Sequence, residues 1–199
     1  MLRKTVLTIL LTIGMATTAQ ANLEDDASAF IADHGNKMIE ILGLPHGQDR
    51  RDTFEAWLTE AFDLDKLAEL ALGPYRKTVT EGQMAAYDEA FAHYIVRTYE
   101  ARLDGFTGYD FSVMGTRPMN VTDAVVRTNI VSPEGDVYVV DFRIEKGDDE
   151  QLHVIDVAIE GLSMLKTQRE EFSAVIQRDG IDGLISSLNE RADAIASAE

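Results

Sequence analysis

The chain has 199 residues and no cysteine, and its 35 acidic residues outnumber 18 basic ones for a formal net charge of −17. Such a surface repels nucleic acid and anionic headgroups over a Debye length of about 8 Å at physiological salt, so no nucleic-acid partner and no stable membrane insertion are expected. Lack of cysteine excludes a disulfide framework, and stability has to come from packing.

Arg3 and Lys4 precede an almost wholly apolar or small stretch from Thr5 to Met15, and Ala19-Gln20-Ala21 closes it. The apolar part is shorter than the roughly 20 residues that a bilayer span needs. It reads as a secretory signal peptide, residues 1–21, with cleavage after Ala21. Cleavage removes two basic residues and no acid, so the mature chain is more acidic still. About 180 residues remain, a length suited to one domain with its own core. The expected division is therefore a cleaved leader, 1–21, and a single domain, 22–199, located in the periplasm.

Leu23, Ala27, Phe30, Ile31, His34, Met38, Ile41 and Leu42 recur at three- and four-residue steps and predict an amphipathic helix over 23–42, ended by Gly43, Pro45 and Gly47. A second helix is expected from about Asp52, with Phe54, Trp57, Leu58, Ala61 and Phe62 on one side. Asp63 or Asp65 can cap a short third helix over Leu67, Leu70 and Ala71, closed by Gly73-Pro74. A longer helix from about Thr80 carries Met84, Tyr87, Phe91, Tyr94, Ile95, Thr98, Arg102 and Phe106 near one stripe.

Past Gly108 the period changes to short β-branched runs. Phe111–Met114, Ala124–Val131, Val137–Ile144 and Leu152–Ile159 are the expected strands, and Ser132–Gly135 and Lys146–Glu150 the hairpin turns. Their close succession favours antiparallel pairing. In the last strand His153, Ile155, Val157 and Ile159 alternate with Val154, Asp156 and Ala158. After Gly161 two helices are expected, divided at Asp179-Gly180. The fold class is α+β: an antiparallel sheet of about four strands packed against N- and C-terminal helices.

Material for catalysis is thin. There is no thiol, no glycine-rich phosphate loop and no H-E-x-x-H, and Gly161-Leu-Ser-Met-Leu165 lacks the closing glycine of a nucleophile elbow. His34, His46, His93 and His153 are scattered, so no metal site is expected. Asp63-x-Asp65 reads as a helix cap and Asp148-Asp149 as a solvated turn. Asp141 and Asp156 can share a sheet face with Arg127 or Arg143, which predicts structural ion pairs before acid/base work. No enzyme and no catalytic residue are expected.

The stretch Val154-Ile-Asp-Val-Ala-Ile-Glu-Gly-Leu-Ser-Met164, then Arg169-Glu-Glu-Phe172, then Gly180-Ile-Asp-Gly-Leu-Ile185, resembles the D-x-x-x-E-G-x-S, R-x-x-F and G-x-D-x-L-I elements of the MlaC (toluene-tolerance, ABC-transporter auxiliary) family. Upstream, Phe62-Asp63 through Ala71-Leu-Gly-Pro-Tyr-Arg76 is similar to that family's F-D-x-x-x-x-A-x-x-x-L-G-x-Y/W-R element. Leu152-His153 stands where the family carries a tryptophan.

The resemblance implies a cone-like domain with an apolar pocket, holding phospholipid as cargo and no cofactor. It also implies a soluble periplasmic shuttle in the lipid traffic that maintains outer-membrane lipid asymmetry. Its partners would be an inner-membrane ABC transporter complex with a lipid-binding ring and an outer-membrane lipoprotein complex. A monomer is expected. Alternatives are a hopanoid-associated carrier of the same superfamily, a protein-binding adaptor with a filled core, and a small hydrolase using Asp156.

The face between sheet and helices supplies the candidate lipid-binding residues: Tyr94, Tyr99, Leu103, Phe106, Ile130, Tyr138, Val140, Phe142, Ile155, Val157, Leu162, Leu165, Phe172 and Ile176. Met84, Met114 and Met164 are further candidates because a flexible thioether adapts to variable chains. Ordinary core packing is the competing role for each.

Overall fold

The computed structural model describes residues 13–147 and 149–197, with side chains from Leu23 onward. Residues 1–12 of the expected leader lie outside that range, as does Asp148 of the second hairpin turn.

Helix α1 (Ile13–Leu42) buries Leu23, Ala27, Ile31, Met38, Ile41 and Leu42, the stripe its spacing predicts. Helix α2 (Gln48–Ala61) starts four residues ahead of the expected Asp52. Its first turn, Gln48-Asp-Arg-Arg-Asp52, has no apolar residue to show a period; polar bonds hold it instead. Gln48 Nε2 donates to Asp52 at 2.6 Å, and the buried Arg50 donates to Asp104 at 2.7 Å.

Asp63, rather than Asp65, caps α3 (Leu64–Leu72) by accepting from the Lys66 amide at 2.9 Å. Gly73 ends it with φ +57, a left-handed conformation that favours glycine. Thr80 and Gln83 form a reciprocal capping box on α4 (Glu81–Leu103).

Five strands follow: β1 (Asp110–Pro118), β2 (Asp123–Val131), β3 (Val137–Lys146), β4 (Leu152–Ile159) and β5 (Leu162–Ser163). They form one antiparallel sheet in sequence order. The additional strand is β5, only two residues long. Helix α5 (Met164–Ala196) closes the domain and is broken at Gly180 (φ 74, ψ −178), where two helices were expected.

Two bulges account for departures from strict alternation. In β1 the register shifts between Val113 and Gly115, leaving Met114 exposed and carrying pairing on to Pro118, well past the expected end at Met114. In β4, Arg143 pairs with Asp156 and Ile144 with Val154, so Ile155 is the extra residue. Past it the inner face passes from Val157 to Val154.

The core has two parts. One is helical and centres on Phe54, Trp57, Tyr87, Phe91 and Phe172, with Phe172 edge-on to both Tyr87 and Phe91 at ring-centroid distances of 6.2 Å. The other joins α1 to the sheet through Leu23, Ala27, Ile31, Ala124, Val126, Ile144 and Val154. The outer sheet face is polar, and there Arg127 makes two 2.8 Å bonds to Asp141 across β2 and β3. Arg143 pairs with Asp123 at 2.7 Å, so Asp141 takes the predicted arginine while Asp156 has another role.

Arg169 ties the end of α3 to α5. Its Nε donates to the Leu70 carbonyl at 2.8 Å, one of the helix-terminal acceptors that lack an intrahelical partner. Its stem lies against Gly73, where an added Cβ would stand 3.2 Å from Cδ. Arg169→Met keeps the apolar stem and removes the donor, so it should cost about 1–2 kcal/mol. Urea unfolding should show a lower midpoint with an unchanged slope; an unmoved midpoint would refute the tie.

Candidate functional site

The two core clusters do not merge. Between them lies a cavity of about 260 Å³ whose walls draw on both. That is just under the range of about 300–1,000 Å³ usual for small-molecule sites. Helix α1 contributes Ile31, His34, Gly35, Met38, Ile39 and Leu42, and α2 with its exit contributes Trp57, Leu58, Ala61 and Phe62. Helix α3 adds Leu67 and Ala71, and α4 with the following turn adds Phe91, Ile95, Tyr99, Leu103 and Phe106. The sheet side is Tyr109, Phe111, Ile130, Tyr138, Val140, Phe142, Val154, Asp156, Val157 and Ile159; Met164, Leu165 and Gln168 of α5 complete the wall.

One end is open. Tyr138 and Ile159 line the cavity and are 38% and 42% exposed, flanked by Val137 at 53% and Leu162 at 58%. These residues meet where β3 begins and β4 turns into β5, since Ile159 pairs with both Val140 and Leu162. The rim is thus apolar and faces solvent.

Nine of the sequence-predicted candidates line this cavity: Tyr99, Leu103, Phe106, Ile130, Tyr138, Val140, Phe142, Val157 and Leu165. Five do not. Tyr94 and Phe172 are buried in the helical core, and Ile176 packs against that core. Ile155 is the buried bulge residue of β4, and Leu162 stands on the rim. Of the methionines, Met164 lines the wall, Met84 packs on the helical core and Met114 is exposed.

Sequence reasoning missed the walls given by α1, α2 and α3, because an apolar helix face has the same period whether it meets a core or a void. One local signal was present: Gly35 interrupts the apolar stripe of α1. A Cβ there would stand 2.3 Å from the Phe111 ring, so the glycine is what admits that ring against the helix.

Besides the tyrosine hydroxyls and the Trp57 indole, three polar side chains interrupt the apolar wall: Asp156, His34 and Gln168. Asp156 is fully engaged in structure. One oxygen accepts from Ser163 Oγ at 2.6 Å and the other from the Leu165 amide at 3.0 Å. Ser163 in turn caps α5, accepting from the Lys166 amide at 3.0 Å. The intervening turn needs positive φ at Glu160 (50) and Gly161 (80), and Glu160 Oε1 accepts from the Val139 amide at 2.7 Å, fixing the turn to β3. The D-x-x-x-E-G-x-S pattern is therefore a strand-to-helix joint, with each polar residue holding a backbone or side-chain partner.

His34 lies beside Phe30 and Trp57, with ring centroids 4.3 and 6.3 Å away, and its carbonyl accepts from the Trp57 indole at 3.1 Å. Burial depresses its pKa below the ordinary 6.5; Glu60 and Asp33 oppose that shift and Lys37 assists it. Burial likewise raises Tyr99, whose ring has the Arg102 guanidinium 5.9 Å from its centroid. Among the described residues no group of His, Cys, Asp or Glu could hold a metal ion, and no helix is long and apolar enough to cross a membrane.

Helices laid over one face of an antiparallel meander, with an apolar cavity open at one end, define the class of the protein as an α+β domain with an apolar interior cavity. The family model for the MlaC protein matches residues 35–190, and the chain belongs to the MlaC family. A solved structure of the phospholipid-binding protein from Ralstonia solanacearum, in complex with a phospholipid, has a similar fold. The TM-score is 0.75 at 24% sequence identity, over 85% of this chain and 98% of that one.

The depressed pKa of His34 carries a consequence for stability. The unfolded chain binds a proton near pH 6.5 that the folded chain resists, so stability is full above that pH. It falls as pH drops below 6.5 toward the folded-state value. Melting temperature should decline more steeply from about pH 7 to about pH 5 in the wild type than in His34→Gln. Parallel curves would show that His34 is not desolvated.

Proposed function

We propose that this protein is a non-catalytic carrier that takes the acyl chains of a phospholipid into the cavity between its two cores, the walls moving apart to admit both chains, and leaves the headgroup at the rim. The observation that carries this reading is the cavity itself: an apolar interior left unfilled beside a well-packed core, in a chain of the MlaC family. Asp156 supports a binding rather than a hydrolytic role, because both its oxygens are committed to the joint between β4 and α5.

The physics of the cargo explains why a carrier is needed. Two acyl chains hide about thirty methylenes, worth on the order of 20 kcal/mol at about 0.8 each, so a phospholipid crosses water at a negligible rate alone. A cavity as apolar as the bilayer makes the exchange nearly neutral, and direction then has to come from partners. Residues 1–21 act as a cleaved leader, and the mature domain works as a periplasmic monomer between an outer-membrane lipoprotein complex and an inner-membrane ABC transporter complex, maintaining outer-membrane lipid asymmetry. The chain's net charge of −17, more negative still without Arg3 and Lys4, favours docking on basic protein surfaces and disfavours lingering at anionic membranes.

The test is uptake from vesicles. Wild-type protein mixed with phosphatidylethanolamine and phosphatidylglycerol vesicles and then separated from them should carry phospholipid. Val157→Trp, which fills the void from β4, should carry at least fivefold less with an unchanged circular dichroism spectrum. Equal loading of the two proteins would contradict the cavity as the binding site.

A further inference from the structure

Gln168 is the most informative irregularity in the wall. Its Nε2 atom is buried and has no hydrogen-bond partner. An amide nitrogen carries two N–H donors, and leaving them unmet in an apolar enclosure is costly. Asp156 does not relieve it: its oxygens accept from Ser163 and Leu165, and neither bonds to Gln168 Nε2. The cavity around it is lined mainly by apolar side chains, so few protein acceptors are at hand.

Its position is equally specific. Of the α5 residues that line the cavity, Met164, Leu165 and Gln168, the glutamine lies furthest along the helix from β5, and one turn further on Phe172 already belongs to the helical core. The helix enters beside the exposed rim residue Leu162. Gln168 therefore stands about 6 Å further along α5 from Leu162 than Met164 does. A lipid whose headgroup rests at the rim and whose chains fill the interior has its polar-to-apolar junction at this depth.

We infer that Gln168 is a cargo-selecting residue whose side-chain amide donates to the ester carbonyl of an acyl chain, so that the site prefers ester-linked glycerolipids over apolar lipids without a carbonyl. The inference rests on the lipid-carrier reading above and names the substrate class of that same cavity. A carbonyl oxygen is a pure acceptor and matches a donor lacking one. An ether oxygen is a much weaker match, and a polycyclic hydrocarbon skeleton offers nothing. In a dry enclosure the lipid without an acceptor leaves the amide unmet, so discrimination arises from the mismatch as much as from the bond.

The experiment is a competition. Full-length mature protein is incubated with vesicles containing equal amounts of dipalmitoyl phosphatidylglycerol and its dihexadecyl ether analogue, which share headgroup and chain length. Native mass spectrometry then reads the ratio of the two complexes. The wild type should favour the ester lipid by roughly fivefold, the size of one net hydrogen bond. Gln168→Leu should bring the ratio close to one while still binding both lipids, and Gln168→Met provides a second variant of matched length. Both should melt no lower than the wild type, because each removes an unmet buried donor. An ester-to-ether ratio near one in the wild type would overturn the inference, as would a preference that survives in both variants. Binding of neither lipid by the wild type would overturn the carrier reading itself, and this inference with it.

Discussion

The carboxylate of Asp156 joins the sheet to the C-terminal helix, and the cavity depends on that joint. Its two acceptor bonds, to Ser163 Oγ and to the Leu165 amide, set the angle at which α5 leaves β5. From there α5 reaches the end of α3, where Arg169 meets the Leu70 carbonyl, and Phe172 enters the aromatic cluster of α4. A helix anchored at both places spans the space between sheet and helical core without having to fill it. That is how a void persists in a protein whose interior otherwise packs closely.

The remaining walls follow from small residues and bulges. Gly35 lets the Phe111 ring lie against α1, so the helix closes over β1 instead of being held away from it. The bulge at Ile155 turns Val154 toward α1 and the N-terminal core while Val157 and Ile159 keep facing the cavity. Phe62 packs on both clusters and bridges to Val154, marking the line where the two cores touch. Besides the tyrosine hydroxyls and the Trp57 indole, polar chemistry is confined to the joint, to His34 and to Gln168, and the first of these three is structural.

Much of the fold was legible because its signals are local. Helical stripes, a helix start near Thr80, Gly73 at a helix end and the meander of β-branched runs each depend on neighbouring residues. The first turn of α2 was not, since five polar residues carry no period and their bonds reach to Asp104, far along the chain. The far end of β1 was obscured by the Met114 bulge, and the Ile155 bulge hid which residues of β4 face inward, since each shifts alternation by one residue. For the site, nine candidates on α4, the sheet and the start of α5 fall on the cavity, because the face between sheet and helices is where apolar stripes converge. Tyr94 and Phe172 carry the same stripe but are buried in the helical core, Phe172 against Tyr87 and Phe91, and the walls from α1 to α3 went unread. Periodicity reports that a face is covered; whether a side chain or a void covers it is decided by residues distant in sequence.

The central claim is that the space between the two cores holds a two-chain lipid. Native mass spectrometry of the mature protein as purified, before and after denaturation, tests it most directly. A loaded carrier gives a folded species heavier than the polypeptide by the mass of one phospholipid, and a denatured species at the polypeptide mass with the lipid recovered in the organic phase. A folded species at the bare polypeptide mass, unchanged after incubation with phospholipid vesicles, would contradict it.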